Sequence, residues 1–351
     1  MRSLILFLHL TVALVAGAFI VVLGVTGSIL AFEPELGHVL NRRLSYVVPQ
    51  NSPRSLAELG AAASAAVPGQ RVTGYLLSTS PSVSYQVAFR GRLAFVNQYT
   101  AEVLGVRDSG PDLLSRIHQL HLRLLLQNQA DSGKIVVKWA GVAALFLLLS
   151  GAYLWWPLKR FSVRKRGGAR RVWFDVHNTV GIASLLFLLL ATLTGIVIGF
   201  DDTLQPLIYR ATGTRPLAVY GRPAFTSTPS GAPAISPDRA VEIARAALPG
   251  ADPISVNVPA PAGVYAISAR YPEDLTPGGR SRIYIEQYSG AVLLAEGSRT
   301  APAGTRLVTL NRAIHTGDVF GMPSKIAMSL GSLAVLVQAV SGLAMWLKRK
   351  S

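Results

Sequence analysis

Four long apolar runs divide the chain, near residues 4–32, 135–157, 178–200 and 326–347. Each can cross about 30 Å of hydrocarbon at roughly 1.5 Å per helical residue, so each is expected to be a transmembrane helix. Polar stretches of roughly a hundred residues or more, the size of a domain, separate the first run from the second and the third from the fourth. Inside them the periodicity changes. "SLAELGAAASAAVPG" and "SPDRAVEIARAALPG" read as Ala-rich helices, while "YQVAFRGRLAFV" and "VYAISARY…SRIYIEQY" alternate like strands. "NSP" at 51–53 and "FTSTPSGAPAISP" at 225–237 read as linkers into the two domains.

The same order of residues occurs twice. One half runs His9, Thr26-Gly27, a polar domain, His121, Ser150-Gly151 and Trp155-Trp156; the other runs His177, Thr194-Gly195, a polar domain, His315, Ser341-Gly342 and Trp346. "NQYTAEVLG" ends the first domain and "EQYSGAVLL" the second. Each half enters the membrane from one side, folds beyond it and returns, so the two repeats are parallel, related by an axis along the membrane normal.

Charge sets the orientation. "PLKRFSVRKRGGARRV" carries seven basic residues and no acid, the tail "KRKS" adds three more, and Arg2 precedes the first span. By the positive-inside rule these belong in the cytoplasm. The polar stretches are nearly balanced, with ten basic and seven acidic residues in 33–134 and twelve and ten in 201–325, so much of the +16 net charge is topogenic. A short basic run beside a membrane, without interleaved aromatics, argues against nucleic acid as a partner. The first span is too long for a signal-peptide core and lacks a clear cleavage site, so it is expected to stay. The absence of cysteine excludes disulfides, Cys-ligated iron–sulfur clusters and covalent c-type haem.

The histidine-to-Thr-Gly spans, the Ser-Gly-x-x-Trp-Trp return helix and the Tyr-Ser-Gly-x-Val-Leu ending resemble the PepSY-associated transmembrane family, over nearly the whole chain. That family includes haem-containing inner-membrane reductases of ferric siderophores. Two details depart from its common pattern: Leu10 follows His9, and Leu122 follows His121 with Arg123 one place later, where arginine often stands directly after the histidine; and Trp346 closes the second half alone. The resemblance implies an α-helical membrane protein with four transmembrane helices in two parallel repeats, each carrying an inserted periplasmic α+β PepSY-like domain. The expected division is 1–34, first span; 35–110, first PepSY-like domain; 111–158, interfacial helix and second span; 159–174, basic cytoplasmic loop; 175–202, third span; 203–306, second PepSY-like domain; and 307–351, interfacial segment, fourth span and cytoplasmic tail.

Eighteen residues separate His9 from Gly27 and His177 from Gly195. At 100° per residue that is five full turns, so each pair shares a helix face over about 27 Å. Ionisable groups in spans avoid lipid, so this face is expected to point into the bundle. His9 and His177, both at the cytoplasmic edge, could clamp one iron as bis-histidine haems do in helical bundles. "DLLSRIHQLHLRLLL" reads as an amphipathic segment with Ile117, His121, Leu124 and Leu125 on its apolar face, and "QNQADSGK" separates it from the second span. His121 with His315 would make the corresponding periplasmic-side site. Gly27 and Gly195 reach the depth of that outer site, and Gly151 and Gly342 that of the inner one. Glycine lets backbone approach a flat macrocycle closely, although helix packing is the plainer role for any single glycine.

The candidates are therefore His9, His177, His121 and His315 as axial ligands of two b-type haems, with Gly27, Gly195, Gly151 and Gly342 beside them and no general acid, base or nucleophile. His38 and His118 read as ordinary interfacial side chains. Arg116, Arg123 and Arg312 could pair with haem propionates but fit solvated interface positions, and Trp155, Trp156, Trp173 and Trp346 fit an aromatic belt. No zinc motif, P-loop or dinucleotide fingerprint is present. The expected function is electron transfer from a separate cytoplasmic donor to a periplasmic ferric siderophore, releasing Fe(II), in company with membrane lipid and a siderophore uptake system. The rival expectations are a non-redox membrane anchor whose outer domains bind or regulate a partner, and a haem oxidoreductase with another acceptor.

Overall fold

The computed structural model describes residues 1–110, 112–126, 131–158, 161–163, 168–216, 225–228 and 231–348. Lys159, Arg160, Arg164, Lys165 and Arg166 of the basic loop, Arg349 and Lys350 of the tail, and the start of "QNQADSGK" lie outside the described residues. The chain forms two compact units, a helical one from Met1–Glu33, Leu113–Ile208 and Leu310–Ser351, and a sheet-based one from Pro34–Asp112 and Tyr209–Thr309.

The helical unit is built on α1 (Arg2–Leu30), α6 (Ser132–Trp155), α7 (Ala169–Gly199) and α11 (Met322–Leu347), four helices long and apolar enough to cross a membrane. Their outward side chains include Leu4, Phe7, Val15, Trp139, Leu186 and Leu330, all exposed, whereas the buried ones include Thr26, Ser28, Ser150, Ser184, Thr194, Ser329 and Ser341. A water-soluble bundle has the opposite arrangement. In lipid an apolar side chain gains nothing by turning inward, so close backbone approach and interhelical hydrogen bonds hold the helices together. Accordingly, a Cβ on Gly24 would come within 2.4 Å of Val335, and one on Gly331 within 2.4 Å of Phe187. Ser329 donates a hydroxyl hydrogen bond to the Ser28 carbonyl at 3.2 Å, and the Ser28 hydroxyl lies 3.1 Å from the Ser329 carbonyl. Helix α1 packs on α6 and α11, and α7 on the same two. α7 starts well before residue 178, with Arg170 and Arg171 in its opening turns, because only the apolar part of a helix is tied to the hydrocarbon thickness.

Two shorter helices, α5 (Leu113–Arg123) and α10 (Ala303–Thr316), carry the second histidine of each half. After α5 the chain turns sharply through Leu124 and Leu125, with φ of 52° and 60°, and Asp131 at φ 50° opens α6. Left-handed backbone is costly for non-glycine residues. Gly317 (φ 77°) and Gly321 (φ 64°) serve the corresponding turn of the second half.

In the sheet unit, each half supplies one helix and four strands. The first half gives α4 (Leu56–Ala66), β1 (Gly74–Leu76), β2 (Tyr85–Phe89), β3 (Arg92–Val96) and β4 (Val103–Asp108). The second gives α9 (Pro237–Ala247), β5 (Asp252–Asn257), β6 (Tyr265–Arg270), β7 (Ser281–Ile285) and β8 (Val292–Glu296). All eight strands form one antiparallel sheet in the order β4-β3-β2-β1-β5-β6-β7-β8. The halves join where Gly74, Tyr75 and Leu76 pair with Asn257, Val256 and Ser255, so the order reads the same outward from either side of this seam. Register shifts between Phe95 and Val96 and between Tyr284 and Ile285 fall at matching places. In the turns that follow, Ala101 (φ 63°) stands where the second half has Gly290 (φ 72°). Leu59, Val67, Val87, Val96, Val256, Ile267, Ile283 and Ile285 form the fully buried core beneath α4 and α9. Asp238 of α9 accepts the Leu56 and Ala57 N–H groups of α4 at 2.6 and 3.0 Å, placing a carboxylate on a helix N-terminus. The remaining short helices are α2 (Glu33–Leu40), α3 (Arg42–Ser45) and α8 (Asp201–Ala211).

Candidate functional site

The four histidines of the repeat occupy one local arrangement. His9 on α1 donates from Nδ1 to Ser150 Oγ on α6 (2.8 Å), and His177 on α7 donates from Nδ1 to Ser341 Oγ (3.1 Å) and the Gln338 carbonyl (3.2 Å) on α11. His121 on α5 donates from Nδ1 to Thr26 Oγ1 on α1 (2.9 Å), and His315 on α10 to Thr194 Oγ1 and the Ala191 carbonyl on α7 (both 3.1 Å). His121 also bonds the Leu23 backbone. In each case the hydroxyl belongs to the residue directly before one of the repeat's glycines.

This network fixes the imidazole tautomer. A hydroxyl has one proton, and here each donates it to the carbonyl four residues back: Thr26 to Val22 (2.6 Å), Ser150 to Phe146 (2.6 Å), Thr194 to Leu190 (2.5 Å) and Ser341 to Val337 (2.5 Å). Each must therefore accept from the histidine, so Nδ1 carries the hydrogen. The carbonyls of Gln338 and Ala191, which can only accept, require the same. In its neutral form each imidazole then keeps a bare Nε2 lone pair, the form that binds metal. Burial, with smaller contributions from His315 and His118, pushes His121 down to about 4, and burial also pushes His315 down, which favours the same neutral state.

Two of the four rings lie close together. His121 and His315 have centroids 6.3 Å apart and ring planes inclined at 48°. Metal–imidazole bonds run at about 2.0–2.1 Å, and a five-membered ring with bonds of about 1.33 Å places its nitrogens roughly 1.1 Å from its centre. An atom held by Nε2 from both sides thus needs centroids about 6.3 Å apart, the separation observed. His177 lies within electrostatic reach of His9. The glycines face the imidazoles themselves: a Cβ on Gly27 would be 3.2 Å from His121 Cε1, on Gly195 3.0 Å from His315, on Gly151 3.5 Å from His9, and on Gly342 3.5 Å from His177.

Among the described residues, no group of three or more His, Cys, Asp or Glu side chains could hold a bare metal ion. Where His121 and His315 meet, the donor set is two imidazoles, which would suit an iron whose other ligands come from a macrocycle.

The PepSY-associated TM region, as this family is described, matches residues 6–349. The chain belongs to that family. No match was found among the curated proteins compared with it. As a PepSY-associated membrane protein, it combines four candidate spans with a separate antiparallel sheet.

Its other sequence candidates are placed as follows. His118 Nδ1 lies 3.1 Å from the Glu33 carboxylate, and His38 lies edge-on to Tyr46 at 6.2 Å. Arg123 is paired with Asp131. Arg116 and Arg312 both have interaction partners. Trp155 meets Phe161 edge-on at 5.1 Å, and Trp156 is exposed. The residues that sequence reading passed over are the four hydroxyls. The repeated Thr-Gly and Ser-Gly pairs carry the signal for them. Gln338 was also missed; its Nε2 donates to the His177 carbonyl at 3.0 Å, a second tie between α11 and α7.

Proposed function

We propose that this PepSY-associated membrane protein is a di-haem reductase of the bacterial inner membrane, passing electrons from a cytoplasmic donor to a periplasmic ferric siderophore. The observation that carries the proposal is the His121–His315 pair, whose ring centroids stand 6.3 Å apart, the separation that one iron between two imidazoles needs. The equivalent hydrogen bonds at His9 and His177 support a second site. In this reading the four spans form two parallel repeats, both polar segments are periplasmic, and the N- and C-termini are cytoplasmic. The basic loop and tail support that orientation.

His9 and His177 would hold one b-type haem, and His121 and His315 the other, while Gly151, Gly342, Gly27 and Gly195 leave room for the ligand rings. When bound, haem supplies one-electron chemistry, and Fe(III) in the siderophore is the substrate. The protein's part is to place the ligands at two depths, keep them neutral and exclude competing donors. Reduction of the siderophore iron to Fe(II) weakens its hold by hard oxygen ligands, which releases the metal for an uptake system.

The test is redox exchange. Dithionite-reduced protein, freed of excess reductant, should be reoxidised by ferric hydroxamate or ferric catecholate siderophores, followed at the reduced α band. Failure with every siderophore, while ferricyanide still reoxidises the protein, would point to another acceptor.

A further inference from the structure

Each candidate ligand meets a Ser or Thr hydroxyl and the glycine that follows it, and three of the four also meet the carbonyl three residues before the hydroxyl. The hydroxyls are already committed as donors to their own helices, at 2.5–2.6 Å, so their lone pairs are directed to the imidazole. An imidazole that donates from Nδ1 gains imidazolate character at Nε2 and becomes a stronger ligand, favouring the oxidised metal. The hydroxyl's own bond to a carbonyl polarises the chain further.

We infer that Thr26, Thr194, Ser150 and Ser341 are positioning residues that set the tautomer, ring direction and donor strength of His121, His315, His9 and His177, and thereby the haem reduction potentials. The inference rests on the di-haem reading. The support is unequal, which gives it a sharp form. His177 has the Gln338 carbonyl at 3.2 Å besides Ser341, His315 has the Ala191 carbonyl at 3.1 Å besides Thr194, and His121 has the Leu23 backbone besides Thr26. For His9, Ser150 is the one acceptor found among the described residues. Loss of the Ser150 hydroxyl leaves a part-buried N–H without that partner and the ring free to turn. Loss of Ser341 leaves His177 tied to Gln338.

The experiment uses the full-length protein in detergent or nanodiscs, comparing wild type with Ser150→Ala, Ser150→Thr and Ser341→Ala. Haem content, midpoint potentials and the low-spin ferric EPR signals are measured for each. Ser150→Ala should weaken haem retention at the inner site by about tenfold or more, the usual cost of losing such an outer partner. It should also raise the potential of what remains and shift its EPR signal. Ser341→Ala should do the same less strongly, and Ser150→Thr, which keeps the hydroxyl, should restore wild-type values. Haem-loaded wild type with Ser150→Ala unchanged in content, potential and EPR overturns this inference alone. So does a Ser341→Ala effect as large as that of Ser150→Ala. A folded wild-type protein that binds no haem overturns the di-haem reading, and this inference with it.

Discussion

Gly195 and Gly151 follow equivalent hydroxyl residues, yet the space above them differs. A Cβ on Gly195 would stand 3.0 Å from His315 Cε1, close enough that the ring must yield, whereas on Gly151 it would stand 3.5 Å from His9, an ordinary contact. Gly195→Ala is therefore expected to reduce haem at the outer site several-fold, and Gly151→Ala to have a smaller effect, read from the Soret absorbance per protein. Equal losses would mean that the glycines serve the macrocycle rather than the imidazole edge. The sequence shows such glycines by their fixed distance from histidine. It does not show the contact, because the angle at which α5 and α10 meet the spans is a tertiary property. A second residue-scale effect lies in the sheet unit, where burial, and after it Asp238, raises Tyr75 and Tyr265 to about 12 from an ordinary 10.0. Folding thus favours the neutral phenols. Their contribution is fully present below about pH 10 and is lost as pH rises from 10 through 12. Tyr75→Phe should move the alkaline unfolding midpoint upward, measured by circular dichroism on the full-length protein, while leaving tyrosinate absorbance to grow from the other residues.

At the level of elements, the most constrained join is between α5 and α6. A Cβ on Gly133 would come within 1.8 Å of the Arg123 carbonyl oxygen, which lies two residues past His121. Gly133→Ala cannot be absorbed by a side-chain adjustment, since backbone must move. It should displace α5, weaken the Thr26–His121 bond and lower thermal stability; on the di-haem proposal it should also remove the outer haem and leave the inner one, so that the haem-to-protein ratio falls by about half. The long spans, the Ala-rich helices and strands β2, β3, β6 and β7 are all legible as periodicity. Strand β1 is not: it has three residues, one of them glycine, and becomes a strand by pairing with β5 and β2. The beginning of α7 is likewise hidden, because Arg170 and Arg171 signal the end of the hydrocarbon and not the end of the helix.

For the whole molecule, the repeat proves to be more than duplicated motifs. In the helical unit it gives four copies of one hydroxyl–imidazole contact, made between different helix pairs. In the sheet unit it gives two sets of four strands that share a central seam, with Asp238 of one half capping the helix of the other. The order of histidines and glycines along the chain shows the repeat, but that each histidine meets a hydroxyl and a glycine of another helix is seen only in the fold. The tautomers and the spacing of the outer pair come only from folding, since both depend on hydrogen bonds between residues roughly a hundred or more positions apart. The central claim is that each histidine pair holds one haem, and the most direct test is the haem-to-protein ratio of protein purified from haem-replete cells. Two haems per chain are predicted, falling to one in His315→Ala and in His9→Ala. A pure, folded and colourless protein would contradict the account.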